Sequence, residues 1–177
     1  MTEAPPGTER KPALGILLRT IVVGVDGSPP SQRAVAAAGD LARAFGARVA
    51  VVTAVSPPLV YPTDLGPVPG SRTAASSLRR NSEELVTAGV ANLQRLGVEA
   101  TGFVREGSPT EVLLAVAEEE RADLLVVGSR GVRRTQRLLV GSVAMSIAST
   151  AACPVLLVRE GPPAEGASTT ATRTAGP

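Results

Sequence analysis

Histidine and tryptophan are absent from these 177 residues, and lysine and cysteine occur once each, as Lys11 and Cys153. Without histidine no Ser/His/Asp or Cys/His nucleophile system can be assembled, and zinc loses its preferred ligands. The one lysine stands in an N-terminal segment rich in proline and charge, which removes a Schiff-base lysine from the domain itself. A lone cysteine forms no intramolecular disulfide, and Cys153, beside Pro154 in an apolar run, reads as a small core residue. Aromatic residues make up only 2% of the chain, as Phe45, Tyr61 and Phe103, so surfaces for stacking nucleic-acid bases are nearly missing.

Charge of one sign is also scarce. Eighteen Lys and Arg residues face sixteen Asp and Glu, for a net charge of +2, and the signs are interspersed rather than blocked. That pattern argues against a nucleic-acid partner. No apolar run reaches the roughly 18 residues a membrane span needs, and the run from Ala13 to Leu18 is cut by Arg19 without a cleavage site. The expectation is a cytoplasmic protein with no membrane partner.

What remains is aliphatic: 44% of residues are hydrophobic, enough for the core of one domain. Residues 1–19 and 160–177 have the composition of disordered tails, and residues 20–159 form the predicted domain. Within it, residues 56–77 carry PPLVYPTDLGPVPGSRTAAS, which reads as a flexible loop or lid.

Between these segments strand and helix patterns alternate. Short β-branched runs predict strands at Thr20–Val25, Arg48–Val55, Val98–Val104, Ala122–Gly128 and Pro154–Val158. Ser28-Pro29 predicts the N-cap and first turn of a helix whose apolar positions run through Ala34, Val35, Ala38, Leu41, Ala42 and Phe45, with Gly46 closing it. Leu78, Leu85, Gly89, Leu93 and Leu96 mark one face of a second helix, ending at Gly97. Ser108-Pro109-Thr110-Glu111 is a capping box opening a third, and Val143, Ile147 and Ala148 belong to a fourth. Five strands alternating with four helices predict an α/β fold: a doubly wound, Rossmann-like parallel sheet sandwiched by helices.

Ligands in such sheets bind beyond the strand carboxyl ends, where the winding reverses. The first and fourth strands both end in Val-Val-Gly, as Val22-Val23-Gly24 and Val126-Val127-Gly128. One leads to Asp26 and the other into GSRGVRRTQRLLVGS, so an acidic residue and a glycine-rich loop would face each other. Glycine permits positive φ and close backbone approach, so Gly128 and Gly131 are expected to shape a nest of amide groups around an anion. Gly141-Ser142 falls where the last helix begins, placing free amides and a hydroxyl at a phosphate. A turn that merely joins strand to helix would use the same glycines. Among the loop arginines, Arg130 is the candidate to reach the ligand.

The stretch Gly128 to Ser142 has the G-x2-G-x9-G-[ST] pattern of the nucleotide-binding branch of the universal stress protein family. IVVGVDGSPPSQRAV and CPVLLVR extend the resemblance over about residues 20–159. The resemblance implies ATP, with Mg2+, as the cofactor. Asp26 would touch the adenosine portion, while Ala54 and Val127 line the adenine pocket. Gly128, Gly131, Gly141, Ser142 and Val143 would surround ribose and phosphates, with Ser129 and Arg130 as further candidate binding residues of the same loop. Many relatives carry histidine where Arg130 stands. The resemblance also implies a homodimer through the final strand, residues 154–158, an apolar edge that would otherwise be a pairing hazard.

No general base for hydrolysis is evident in this pattern, so regulatory nucleotide binding is favoured over catalysis. The alternatives are a slow Mg2+-dependent ATPase or phosphotransferase, and a dimeric scaffold that binds no nucleotide. A phosphoacceptor receiver would need an acidic cluster and a lysine near Asp26, and neither is present.

Overall fold

The computed structural model describes residues 17–56, 71–129 and 141–159. The elements follow in the order β1 (Thr20–Gly24), α1 (Pro29–Phe45), β2 (Arg48–Val55), α2 (Ser71–Arg95), β3 (Ala100–Glu106), α3 (Pro109–Glu119), β4 (Leu124–Gly128), α4 (Ser142–Thr150) and β5 (Val155–Val158). All neighbouring strands are parallel, in the order β3-β2-β1-β4-β5. The five strands and four helices are those the alternating pattern predicts.

Alternation along the strands divides the core into two layers. Ile21, Val23, Val49, Val51 and Val126 point to the face covered by α1 and α2, where Ala34, Ala38, Val86 and Leu93 meet them. Val22, Ala50, Val52, Leu125 and Val127 point to the other face, against Val112, Leu113 and Val116 of α3 and Ala144 and Ile147 of α4. Burying each of the larger side chains contributes about 1.5–3 kcal/mol. The central strand β1 is buried along its whole length, so its chemistry is confined to its ends.

Helix signals act where the sequence places them. Ser28 caps α1, its side chain accepting from the Ser31 amide, and Gly46 closes the helix at φ 68°. Ser108 caps α3 by accepting from the Glu111 amide at 3.3 Å. Three expectations shift. Phe45, the last residue of α1, is 44% exposed because the helix has cleared the sheet at that point. The inward face of α2 centres on Val86 and Leu93, leaving Leu78, in the N-terminal half of the helix, 50% exposed and Leu96, just past its last residue, 41% exposed. Finally, α2 begins at Ser71, inside the segment expected to be loop. Pro69-Gly70 is the last helix breaker, and the following run contains neither proline nor glycine until Gly89. The rest of that loop and both predicted tails, residues 57–70, 1–16 and 160–177, lie outside the described residues. Among the described residues no helix is long and apolar enough to cross a membrane.

Candidate functional site

β1 and β4 lie side by side, while the chain winds from β1 through β2 to β3 in one direction and from β4 to β5 in the other. The divergence opens a cleft of about 440 Å3 at the carboxyl ends of the strands. That volume falls in the range of sites for small organic ligands. Gly24, Val25 and Asp26 line it from β1, Val52, Thr53 and Ala54 from β2, and Val127 and Gly128 from β4. Pro109 and Leu113 of α3 add an apolar wall, and Gly141, Ser142, Val143 and Ala144 bring the start of α4 to it.

Asp26 follows β1 immediately. Its Oδ1 accepts from the Ser28 amide at 3.0 Å and from Ser28 Oγ at 2.6 Å, which fixes the turn into α1. The residue is nonetheless exposed and borders the cleft. Turn formation and a binding role are therefore compatible for this carboxylate.

Gly128 works by proximity rather than by an unusual backbone angle. A Cβ there would stand 2.9 Å from the backbone carbon of Pro30 and the amide nitrogen of Ser31, so its missing side chain is what lets the first turn of α1 close over β4. Its φ lies outside the left-handed region, and Gly141 has φ −64°. The expectation of a positive-φ nest is thus corrected at Gly128, where tertiary crowding selects glycine, while Gly131 lies outside the described residues; Gly141 stands at the helix start as expected, in ordinary extended backbone.

The amides of the motif divide into those spent on the fold and those left at the cleft. Ser129, buried, donates its N–H to the Val158 carbonyl at 2.7 Å, and its own carbonyl accepts from Gly141 N–H at 2.7 Å. Those two groups hold β5 and α4 in place, and Ser129 is not part of the cleft lining. Because Gly141 is the N-cap and gives no side-chain hydrogen bond, the first-turn amides of Ser142, Val143 and Ala144 have no capping side chain among the described residues. They sit at the cleft with the positive end of the α4 dipole behind them. Arg130 and Gly131 lie outside the described residues.

Comparison with known proteins fits this architecture. The universal stress protein family matches residues 18–159. This chain belongs to that family. It is 35% identical over 144 residues to a universal stress protein of Thermus aquaticus, covering 81% of this chain and all of that one. It is 31% identical over 147 residues to one from Mycobacterium tuberculosis, covering 79% and 95%. Among solved structures, a universal stress protein in complex with cAMP superposes with a TM-score of 0.61 at 28% identity, covering 81% of this chain and 98% of that one.

Within this universal stress protein fold, seven of the residues singled out from sequence meet in one cleft: Asp26, Ala54, Val127, Gly128, Gly141, Ser142 and Val143. Sequence reasoning missed Thr53, whose buried hydroxyl donates to the Val25 carbonyl at 2.8 Å and pins the floor of the cleft. It also missed Ser31, Leu113 and Ala144. Ser31 had a local signal, three residues after a capping serine, whereas Leu113 and Ala144 are apolar positions whose place at the cleft appears only once α3 and α4 are packed. Cys153 stands elsewhere, half-buried; burial pushes its thiol up, the reverse of what an activated thiolate requires.

Proposed function

We propose that this protein binds an adenine nucleotide, ATP accompanied by Mg2+, in the cleft between the ends of β1 and β4, and that occupancy regulates its interactions. The observation that carries the reading is the start of α4, which no side chain caps among the described residues and whose first-turn residues border a cleft walled by Val25, Val52, Ala54 and Leu113. Amides and dipole suit a phosphate, and the aliphatic wall suits a purine. The cAMP complex of a relative supports an adenine nucleotide as the ligand class. Asp26 would meet the adenosine end, with Ala54 and Val127 against the base, and Arg130 and Gly131 would complete the phosphate side. Mg2+ would ride on the phosphate oxygens and water, as it commonly does.

Binding is favoured over turnover because Asp26 is the one ionisable side chain among the described residues lining the cleft, and its Oδ1 is engaged by Ser28. A general base and a second charged group near the phosphates have no candidates among those residues. Calorimetric titration of ATP with Mg2+ into nucleotide-free protein tests the reading, with Gly141→Glu alongside. Saturable binding is expected in the parent and a loss of at least about tenfold in the variant, equivalent to about 1.4 kcal/mol. A folded parent that takes up no nucleotide would overturn the reading.

The same proposal includes a homodimer through β5. Pro154 and Val158 direct their carbonyls at the Leu125 and Ser129 amides, so by the two-residue period Val155 and Leu157 direct their N–H and C=O groups to the outer edge of the sheet. Leu157→Pro removes an outward N–H while sparing the ladder to β4. Light scattering is expected to report a dimer for the parent and a monomer for this variant; a parent that is monomeric at micromolar concentration would refute the dimer.

A further inference from the structure

Asp26, Ser28 and Ser31 form one hydrogen-bonded unit at the rim of the cleft. Ser28 Oγ lies 2.6 Å from Asp26 Oδ1 and 3.3 Å from the Ser31 amide nitrogen. Ser31 Oγ donates to the Ser28 carbonyl at 2.9 Å and accepts from the Asp26 amide at 3.4 Å. A hydroxyl has a single proton, and a carboxylate cannot supply one, so the Ser28 proton is committed to Asp26 and an oxygen lone pair to the helix amide. Both serines are buried, whereas Asp26 is exposed. A buried pair thus anchors one oxygen of an exposed carboxylate, and that pair is itself fastened to the first turn of α1.

The rest of this inference rests on the nucleotide reading above. The cleft is bordered by a carboxylate at one place and by the positive end of α4 at another. Phosphates are repelled by the first and drawn to the second, and with the base placed against Ala54 and Val127 the ligand donors left for Asp26 are the neutral hydroxyl groups of the sugar. We propose that Ser28 is a positioning residue: it holds the Asp26 carboxylate so that the site prefers nucleotides with an intact ribose over their deoxy counterparts. The hydroxyl need not touch the ligand, and Ser28 does not line the cleft.

The test measures the affinities of the full chain for ATP, 2′-deoxy-ATP and 3′-deoxy-ATP, each with Mg2+. A charge-assisted hydrogen bond to a sugar hydroxyl is expected to give the parent a preference of about tenfold or more for ATP over at least one deoxy analogue. Ser28→Ala is expected to bring that ratio to within about twofold, and Ser28→Thr, which retains a hydroxyl, to restore it. Loss of a helix cap alone would weaken all three nucleotides together and leave the ratio where it was, so an unchanged ratio in a folded Ser28→Ala protein overturns the assignment. Should that variant fail to fold, Asp26→Asn decides, since the exposed amide preserves the side-chain shape without the charge: a ratio that survives this change overturns the assignment, and its collapse supports it. A parent that binds ATP and both deoxy analogues equally also refutes the role of Ser28 while leaving the nucleotide site standing. A parent that binds none of them removes the nucleotide reading itself.

Discussion

Helices α1 and α4 both begin at the carboxyl end of the sheet, on opposite faces, and both border the cleft, yet one start is closed and the other open. The N-cap of α1, Ser28, has φ −71° and ψ 154°; the N-cap of α4, Gly141, has φ −64° and ψ 152°. The backbones are nearly the same, so the contrast lies in the side chain. Ser28 spends its hydroxyl on the Ser31 amide and on Asp26, while Gly141 has no side-chain oxygen to offer. A third start, that of α3, is closed like α1 by Ser108. The comparison teaches that an anion site can be made by omission: leaving out a cap at one helix, where two others have one, frees amides that the fold would otherwise consume.

Breaking the closed side is expected to give the largest effect. Gly128→Ala would set a methyl group 2.9 Å from two backbone atoms of α1, and backbone cannot yield as a side-chain tip does. Urea unfolding is expected to show a loss of about 1–3 kcal/mol, with weakened nucleotide binding as α1 is pushed from β4. An unchanged unfolding midpoint would show that the contact is not what requires glycine there. Ser108→Ala comes next, at about 1 kcal/mol, the usual worth of an N-cap hydroxyl. Because Ser108 lies outside the cleft lining, ATP affinity is expected to stay within about twofold, and a larger change would mean that the closed helix starts also serve the ligand.

The fold was legible because its signals are local and agree with one another: apolar runs of strand length, serine-proline starts and glycine stops. The site was half legible. Asp26, Gly141 and Ser142 follow from their places at strand and helix ends, but the reason for Gly128 does not. Spacing pointed to φ freedom, whereas the requirement comes from α1 crossing over β4, a contact between residues about a hundred positions apart in the chain. Thr53 was invisible for a related reason: its partner is the carbonyl of Val25 on the neighbouring strand, and nothing in RVAVVTAV distinguishes a pinning threonine from an ordinary β-branched one. The reach of α2 back to Ser71 was masked by serine-rich composition that resembles loop.

The smallest expected effect on stability is also the sharpest test of omission as the device. Gly141 already has the extended backbone of a capping serine, so Gly141→Ser asks for no change of φ or ψ. A serine there would offer Oγ to the amides at the start of α4, as Ser28 and Ser108 do for their helices. Serine exceeds glycine as an N-cap by only a few tenths of a kcal/mol, so the unfolding midpoint is expected to rise slightly. ATP affinity is expected to move the other way, by about tenfold, because an amide bonded to its own cap is no longer free for phosphate. A rise in stability with undiminished affinity would mean that phosphate does not use these amides, and the contrast between the open and closed helix starts would then carry no functional weight. Opposite movement of the two quantities in one variant is the outcome that a merely destabilising substitution cannot produce.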